Sequence, residues 1–334
     1  MKELLKKLVE AYSPSGNEGA VREIIRKEVE GLADEVRVDA LGNLIVARKG
    51  IGPRVLLAAH MDEIGVIVTH IDEKGFLRFS NMGGVSPFVL LGERVVFENG
   101  TVGTIGTEKL DDIKDLKLGK MFIDIGANDE KSAREKVSVG DVAGFHREAR
   151  MEAGRLIAKS VDDRAGCAVL VQVLKELAGR VIPNQVYAVF SVQEELGTRG
   201  ARTAAYGVNP DIGIAVDVTS TGDTPEARTM AVSLGKGPAI KVKDSTVIAH
   251  PRVRQVMVET AREKGLPYQM EVLEHGGTDT GPIHLTREGV PSGAVSIPTR
   301  YLHTPSEMAD LGDIENAVKL LVALLEAPLG EKLL

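Results

Sequence analysis

Five apolar residues, Val55 to Ala59, run directly into His60, Asp62 and Glu63 in the segment "VLLAAHMDEIG", which constrains the fold more than any other segment. An apolar run of this length that ends in polar residues is typical of a strand buried on both faces. In open α/β sheets, sites form at the carboxyl ends of such strands. The same residues also fit a surface turn with solvated acids. The segment alone does not decide between a buried strand that ends in a site and such a turn.

The composition is that of an ordinary folded protein. The 334 residues are 43% apolar and 27% charged, enough for about two domains with a full hydrophobic core. The net charge of -7 and the pI near 5.6 argue against a nucleic-acid surface, which needs clustered Lys and Arg. No apolar block approaches the roughly 20 residues of a membrane span, and none is typical of a signal peptide. We therefore expect a cytoplasmic protein with neither nucleic acid nor membrane as a partner.

Cys167 is the only cysteine, so no intrachain disulfide can form, which suits a reducing compartment. It lies in the apolar helical run "RAGCAVLVQVL", where a buried cysteine packs as a small hydrophobe. We predict a structural role for it rather than a role as a nucleophile.

Helix and strand patterns alternate at both ends of the chain, whereas the middle has short strand patterns separated by turn residues. The simplest arrangement is one α/β domain, residues 1–63 and 151–334, interrupted by a small β-rich domain, residues 64–150. Within this insertion, Asn99-Gly100 is a hairpin signal and the charged run "EKLDDIKDLKLGK" predicts a solvated face or loop. The predicted helices cover the N-terminal segment and residues 18–30, 129–136, 163–177, 199–206, 251–264 and 314–325.

Four other segments place polar side chains after predicted strands, as the first segment does with His60. A parallel sheet brings the carboxyl ends of its strands to one edge, so residues far apart in sequence converge there. Two imidazoles and several carboxylates at one edge make a mixed nitrogen and oxygen metal site, because bound cations offset the repulsion among the acids. The segments are "GRLIAKSVDDR", "YAVFSVQEELGTRG", "DIGIAVDVTS" and "GAVSIPTRYLHTPSE", which contribute Asp162, Asp163, Glu194, Glu195, Asp217 and His303.

Taken in order, "AHMDE", "DDRAG", "EELGTRGA", "VDVT" and "RYLHTPSE" resemble the motifs of the tetrahedral, or TET, aminopeptidases. This family of dinuclear metallopeptidases includes glutamyl and deblocking aminopeptidases and relatives labelled endoglucanases. The resemblance covers nearly the whole chain and includes the position of the β-rich insertion. It implies a zinc-peptidase-like α/β fold, with a mixed, mostly parallel sheet flanked by helices.

The resemblance also implies a set of metal ligands. In this scheme His60 and Asp217 hold one divalent ion, Glu195 and His303 hold a second, and Asp162 bridges both. Imidazole and carboxylate ligands without a thiolate suit zinc or cobalt, and the sequence does not choose between them.

Two further acids have roles outside metal coordination in this scheme. Glu194 is implied as the general base that takes a proton from water and passes it to the leaving amine. Asp62 is implied as the carboxylate that orients the His60 imidazole and fixes its tautomer. Related enzymes have a cis Asp162-Asp163 peptide. His275, in "LEHGGTDTG", has no implied role, and we predict that it is structural or lines a pocket.

These features predict an aminopeptidase that removes the N-terminal residue of short peptides with two divalent ions per subunit. A metal-dependent carboxypeptidase or deacylase would use the same residues, and only the resemblance argues against it. A glycosidase also pairs acids but does not generally need two histidines. A non-catalytic binding protein would be expected to have lost a ligand or Glu194. The sequence has no HExxH motif, P-loop or GxGxxG fingerprint, and the preferred N-terminal residue is not predicted.

The insertion is also expected to supply a contact between subunits. A small β-rich domain has exposed edges to protect, and the resemblance implies dimers that build a hollow dodecamer. We therefore expect a homo-oligomer whose active sites face an interior cavity.

Overall fold

Strands and helices alternate along the chain in the structure, a computed structural model that describes residues 1–333. The strands are β1 Glu35–Val38, β2 Leu44–Arg48, β3 Arg54–His60, β4 Gly65–Ile71, β5 Leu77–Met82, β6 Arg94–Phe97, β7 Val102–Thr107, β8 Met121–Asp124, β9 Val142–Phe145, β10 Arg150–Glu152, β11 Arg155–Ala158, β12 Gln185–Ser191, β13 Ile212–Thr219, β14 Ala239–Lys243, β15 Gln269–Val272, β16 Ser292–Arg300 and β17 Glu307–Asp310. The helices are α1 Lys2–Glu10, α2 Gly19–Glu28, α3 Pro87–Leu90, α4 Glu130–Arg134, α5 Val161–Leu177, α6 Arg199–Val208, α7 Pro251–Glu263, α8 Thr280–His284, α9 Leu311–Leu325 and α10 Leu329–Leu333.

An eleven-stranded sheet runs in the order β1-β2-β12-β3-β13-β16-β17-β11-β10, with β14 and β15 branching from β16. The neighbours β12, β3, β13 and β16 are parallel, and so is the branch pair β14–β15, whereas the other pairs are antiparallel. The prediction of a mixed α/β sheet with helices is confirmed, but the expectation of a mostly parallel sheet holds only for its centre and for the β14–β15 pair. Short connections such as the one between β10 and β11 permit only antiparallel pairing, because parallel neighbours need a long crossover.

Strand β3 is buried on both faces, as the opening apolar run predicts. Val55, Leu57 and Ala59 face a core that includes α1, α5 and α9. Leu56 and Ala58 face a second cluster that includes α6 and α8. Alternate residues of a strand point to opposite faces, so an unbroken apolar run is what two helical layers require.

Helix α5 is buried along most of its length and is the main helix packed against the sheet. It includes Cys167, which is fully buried, so the prediction that this cysteine packs in the core is confirmed. The first turn is irregular, because Asp162 and Asp163 have non-helical backbone angles and the peptide between them is cis. Regular helix therefore begins just after the two acids.

The last long helix, α9, begins at Leu311 rather than at the predicted residue 314. The Asp310 carboxylate accepts hydrogen bonds from the backbone N–H groups of Gly312 and Asp313, at 2.8 and 3.1 Å. This side-chain cap satisfies donors that have no partner within the helix, so the helix starts three residues early.

Strands β4 to β9 form a closed antiparallel barrel in the order β4-β5-β8-β7-β6-β9. The barrel has its own apolar core, separate from those of the large sheet. The predicted hairpin at Asn99-Gly100 joins β6 to β7, and Asp111 and Asp112 of the charged run are exposed. Closure leaves no free strand edges within the barrel, so the edge argument for a subunit contact is wrong.

None of the helices within residues 1–333 is both long and apolar enough to cross a bilayer.

Candidate metal centre

One cleft of about 540 Å³ at the carboxyl ends of the central strands gathers most of the predicted site residues. The seventh predicted residue, Asp62, is fully buried behind the cleft. The sheet topology accounts for this convergence, because the parallel strands β3, β12, β13 and β16 all end at the same edge. The predicted site residues among those that line the cleft are His60, Asp162, Glu194, Glu195, Asp217 and His303.

The Asp162 carboxylate lies between the two imidazoles. Its Oδ1 is 2.9 Å from His60 Nε2, and its Oδ2 is 3.3 Å from His303 Nε2. Burial alone would raise the pKa of Asp162, but the contacts with His303 and His60 hold that pKa below its ordinary value. Each oxygen of this carboxylate therefore faces a different imidazole.

Two further carboxylates flank the imidazoles, one on each side. Asp217 Oδ1 is 4.0 Å from His60 Nε2, and Glu195 Oε1 is 3.3 Å from His303 Nε2. The described part of the chain contains two groups of three residues whose donor atoms lie within 4.8 Å of one another inside each group. One group is His60, Asp162 and Glu195, and the other is His60, Asp163 and Asp217. Nitrogen and carboxylate donors at this spacing suit divalent transition ions.

Asp62 holds the site together from behind. Its carboxylate accepts hydrogen bonds from the backbone N–H groups of Glu194 and Glu195, at 2.9 and 3.1 Å, and from Ser15 Oγ at 2.6 Å. His60 Nδ1 is 3.2 Å from the backbone carbonyl oxygen of Asp62 and 3.4 Å from its Oδ1. The buried Asp62 thus contacts the imidazole and the backbones of both glutamates, which is the arrangement expected of a residue that orients a ligand.

Glu194 lines the cleft but belongs to neither donor group. Burial raises its pKa well above the ordinary value, and the Asp217 and Glu195 carboxylates add to this effect, while His60 opposes it. Burial also raises the pKa values of Asp217 and Glu195. The cleft therefore concentrates more negative charge than its two imidazoles offset, and this excess fits bound cations.

Glu307, for which the sequence predicts no role, contacts the backbones of two of the predicted site residues. Its buried carboxylate accepts hydrogen bonds from the backbone N–H groups of Asp162, at 3.0 Å, and His303, at 2.8 Å. Glu307 is the last residue of the motif "RYLHTPSE", four residues after His303. The motif therefore includes this residue, but the sequence does not reveal its contact with Asp162.

Gly84 of the barrel also contacts the site. Its carbonyl oxygen is 2.9 Å from His303 Nδ1, which leaves Nε2 of that ring free to face Asp162 and Glu195. Nothing in the local sequence around Gly84 signals this role, because the contact joins the barrel to the loop after β16.

Two other residues are placed by the structure. Asp163 is fully buried, and its oxygens accept hydrogen bonds from the backbone N–H groups of His60, at 3.2 Å, and Gly166, at 3.0 Å. We interpret Asp163 as a support for the site, because both of its oxygens are engaged by backbone amides. His275 is exposed and lines the cleft, one of the two roles expected for it.

Comparison with known proteins identifies the family of this site. Residues 42–320 match the family model described as M42 glutamyl aminopeptidase. The chain belongs to the M42 family. M42 peptidases are metal-dependent, and this chain is accordingly a metallo-aminopeptidase, a hydrolase.

Curated relatives of this M42 chain are similar over nearly their full length. A putative aminopeptidase from Acetivibrio thermocellus is 55% identical over 96% of this chain and 97% of the relative. A lysyl aminopeptidase from Pyrococcus furiosus is 35% identical over 97% of this chain and 96% of the relative. The family description and this second name specify opposite charges for the N-terminal residue, so family membership alone does not fix the preferred substrate of this M42 enzyme.

Solved structures agree with the family and the fold. An aminopeptidase from Desulfurococcus kamchatkensis has a TM-score of 0.93 at 39% identity, covering 97% of this chain and 94% of that one. The TET1 peptidase of Pyrococcus horikoshii, which can assemble into a tetrahedron or a large octahedral shell, has a TM-score of 0.88 at 34% identity, with 97% and 98% covered. An M18-family aminopeptidase from Thermotoga maritima has a TM-score of 0.77 at 15% identity, with 97% and 95% covered, and shows a shared fold alone.

Proposed function

We propose that this M42 enzyme removes the N-terminal residue from short peptides by a mechanism that uses two divalent ions, zinc or cobalt. The observation that carries the proposal is the position of Asp162, whose two oxygens face different imidazoles. A carboxylate placed in this way is suited to bridge two ions. A site for one ion would not need donors on both sides of it.

The proposed ligands divide into two sets around the bridging carboxylate. His60 and Asp217 would hold one ion, Glu195 and His303 would hold the other, and Asp162 would contact both. When bound, the ions would supply Lewis-acid activation of water and of the scissile carbonyl.

Glu194 is the proposed general base, because it lines the cleft and is needed in neither proposed ligand set. Its carboxylate would accept a proton from the attacking water and donate it to the leaving amine. Burial raises the pKa of Glu194 above its ordinary value, which favours this carboxylate as a proton acceptor. The hydrogen bond from the Glu194 N–H to Asp62 would keep the base in position.

We also propose that the enzyme is cytoplasmic and forms dimers that assemble into a dodecamer, with the barrel at the dimer contact. Large apolar side chains on the barrel surface support this contact: Phe88 is 64% exposed and Ile113 is 56% exposed. Exposed apolar groups of this size favour burial against another chain. The assembly named for the Pyrococcus horikoshii TET1 peptidase supports the higher-order state.

The test of the activity compares a short peptide carrying a free amino terminus with the same peptide N-acetylated. We expect the metal-loaded enzyme to release the N-terminal residue from the free peptide only, and a chelator to abolish this activity until zinc or cobalt is restored. Release of C-terminal residues, or cleavage of the acetylated peptide, would instead support the carboxypeptidase or deacylase alternative. Polysaccharide hydrolysis that survives the chelator would support the glycosidase.

A further inference from the structure

The walls of the cleft differ from its floor in charge. The floor consists of the candidate ligands and Glu194, whereas the wall residues within reach of them include Thr219, Ser220, Leu273 and Leu302. Apart from the floor residues, no Lys, Arg, Asp or Glu among residues 1–333 lines this cleft. Apart from His275, a charged substrate side chain inside it would meet no ionisable side chain on these walls.

Two wall threonines have hydroxyl groups that already donate to buried carboxylates. Thr219 Oγ1 donates to Glu271 at 2.8 Å, and Thr246 Oγ1 donates to Asp244 at 2.8 Å. A hydroxyl has only one hydrogen to donate. These two groups are therefore poor donors toward a carboxylate in the cleft.

A buried cation that contacts these two carboxylates is also engaged. The Lys241 ammonium is fully buried and pairs with Glu271 and with Asp244, which lies 3.5 Å away. It cannot reach the cleft without breaking a buried ion pair, which is costly because it leaves unpaired charges in a low-dielectric interior. The ammonium therefore stabilises the wall and does not bind substrate.

We propose that this cleft selects peptides whose N-terminal residue has an uncharged, chiefly aliphatic side chain. The inference rests on the aminopeptidase function proposed above. An acidic or basic side chain would lose hydration in the cleft without gaining a partner, whereas an aliphatic one gains contact with the leucines. This selectivity differs from the glutamyl preference in the name of the family and from the lysyl preference in the name of the Pyrococcus furiosus relative.

An adjoining cleft of about 300 Å³ offers the main alternative for charged substrates. It shares Ser220, Leu273 and His275 with the first cleft and is also lined by Arg228 and Glu274, both exposed. If the substrate side chain entered this second cleft, Arg228 would favour glutamyl peptides and Glu274 would favour lysyl peptides. A preference for glutamyl or lysyl peptides would therefore indicate that the substrate side chain binds beside these two residues.

The experiment measures kcat/KM for leucyl, methionyl, glutamyl and lysyl p-nitroanilides with the cobalt- or zinc-loaded enzyme. We expect the leucyl and methionyl substrates to exceed both charged substrates by about tenfold or more, the discrimination typical of a mismatched pocket. A His275→Gln variant, which removes the titratable ring from the wall, should keep this order.

A positive charge introduced into the wall tests the same proposal in the opposite direction. Ser220 is exposed and lines the cleft, so Ser220→Lys places an ammonium on the wall. We expect this variant to raise the glutamyl-to-leucyl ratio of kcat/KM about tenfold or more. Thr104→Lys adds the same charge at an exposed barrel position outside the cleft and should leave the ratio unchanged.

Each outcome bears on one proposal or both. A wild-type preference for the glutamyl or lysyl substrate, or a ratio that Ser220→Lys fails to shift, would overturn the selectivity while leaving the aminopeptidase function intact. Cleavage of none of the four anilides by metal-loaded enzyme would overturn the proposed function and the selectivity with it.

Discussion

Gly84 shows how a single residue without a side chain can control a proposed metal ligand. A Cβ atom added at this position would lie 2.7 Å from His303 Nδ1, which is closer than real Cβ contacts allow. The His303 ring is about one third exposed, so it has room to move when it is pushed. Displacing the ring would break its contact with the Gly84 carbonyl and turn Nε2 away from Asp162.

We therefore predict that Gly84→Ala weakens binding of the second ion by about 10- to 100-fold, the usual cost of losing a partner that orients a ligand. Isothermal titration of the metal-free protein with zinc would measure this change. Gly119→Ala is the matched control, because it lies in the same barrel and a Cβ there meets no atom within 4 Å. Equal zinc affinity in Gly84→Ala and the wild type would contradict the role given to Gly84 in positioning His303.

At this scale the sequence predicted which residue types converge, but not how their backbones are held. His60, Asp162 and His303 could be placed at one edge because each follows a predicted strand. The carbonyl of Gly84 and the carboxylate of Glu307 act through backbone groups contributed by other segments. Contacts of this kind depend on the tertiary arrangement, and no local pattern of letters encodes them.

At the scale of elements, the buried strands and long helices were predictable because apolar periodicity reports them directly. Every residue of strand β13 is buried, and every residue of strand β3 except Arg54 is buried, as expected for strands covered on both faces. The early start of α9 was missed because it depends on the Asp310 cap rather than on the apolar pattern. The antiparallel outer strands were missed because periodicity does not report strand direction.

The β16–β17 connection shows how an element boundary creates the site. Six residues separate Arg300 from Glu307, and His303 within this loop has a φ of +59°. Glu307 begins β17 and accepts hydrogen bonds both from the loop and from the start of α5. The loop that carries one proposed ligand is thereby fixed to the turn that carries the bridging one.

At the scale of the whole molecule, the proposed assembly can be tested by measuring the mass of the particle in solution. We predict a hydrodynamic mass near twelve times the 35.7 kDa of one chain, measured by light scattering after size exclusion. If the barrel supplies the dimer contact, Phe88→Asp should lower this mass, because a charge would be buried at the interface. Ile51→Asp, at a fully exposed apolar position outside the barrel, should not lower it.

Two results would contradict this account of assembly. A wild-type mass of one subunit at working concentration would rule out the oligomer. A large mass that Phe88→Asp leaves unchanged would place the contact away from this part of the barrel.

The central claim is that two ions and a free general base share the cleft, and the adjacent residues Glu194 and Glu195 test it most directly. We would measure the metal content per subunit and kcat of Glu194→Gln and Glu195→Gln side by side. Glu194→Gln should keep two ions and lose turnover by about 100- to 10,000-fold, as expected for a missing general base, whereas Glu195→Gln should lose the second ion. Loss of metal from Glu194→Gln with both ions retained in Glu195→Gln would reverse the two roles, and full activity in Glu194→Gln would contradict the mechanism.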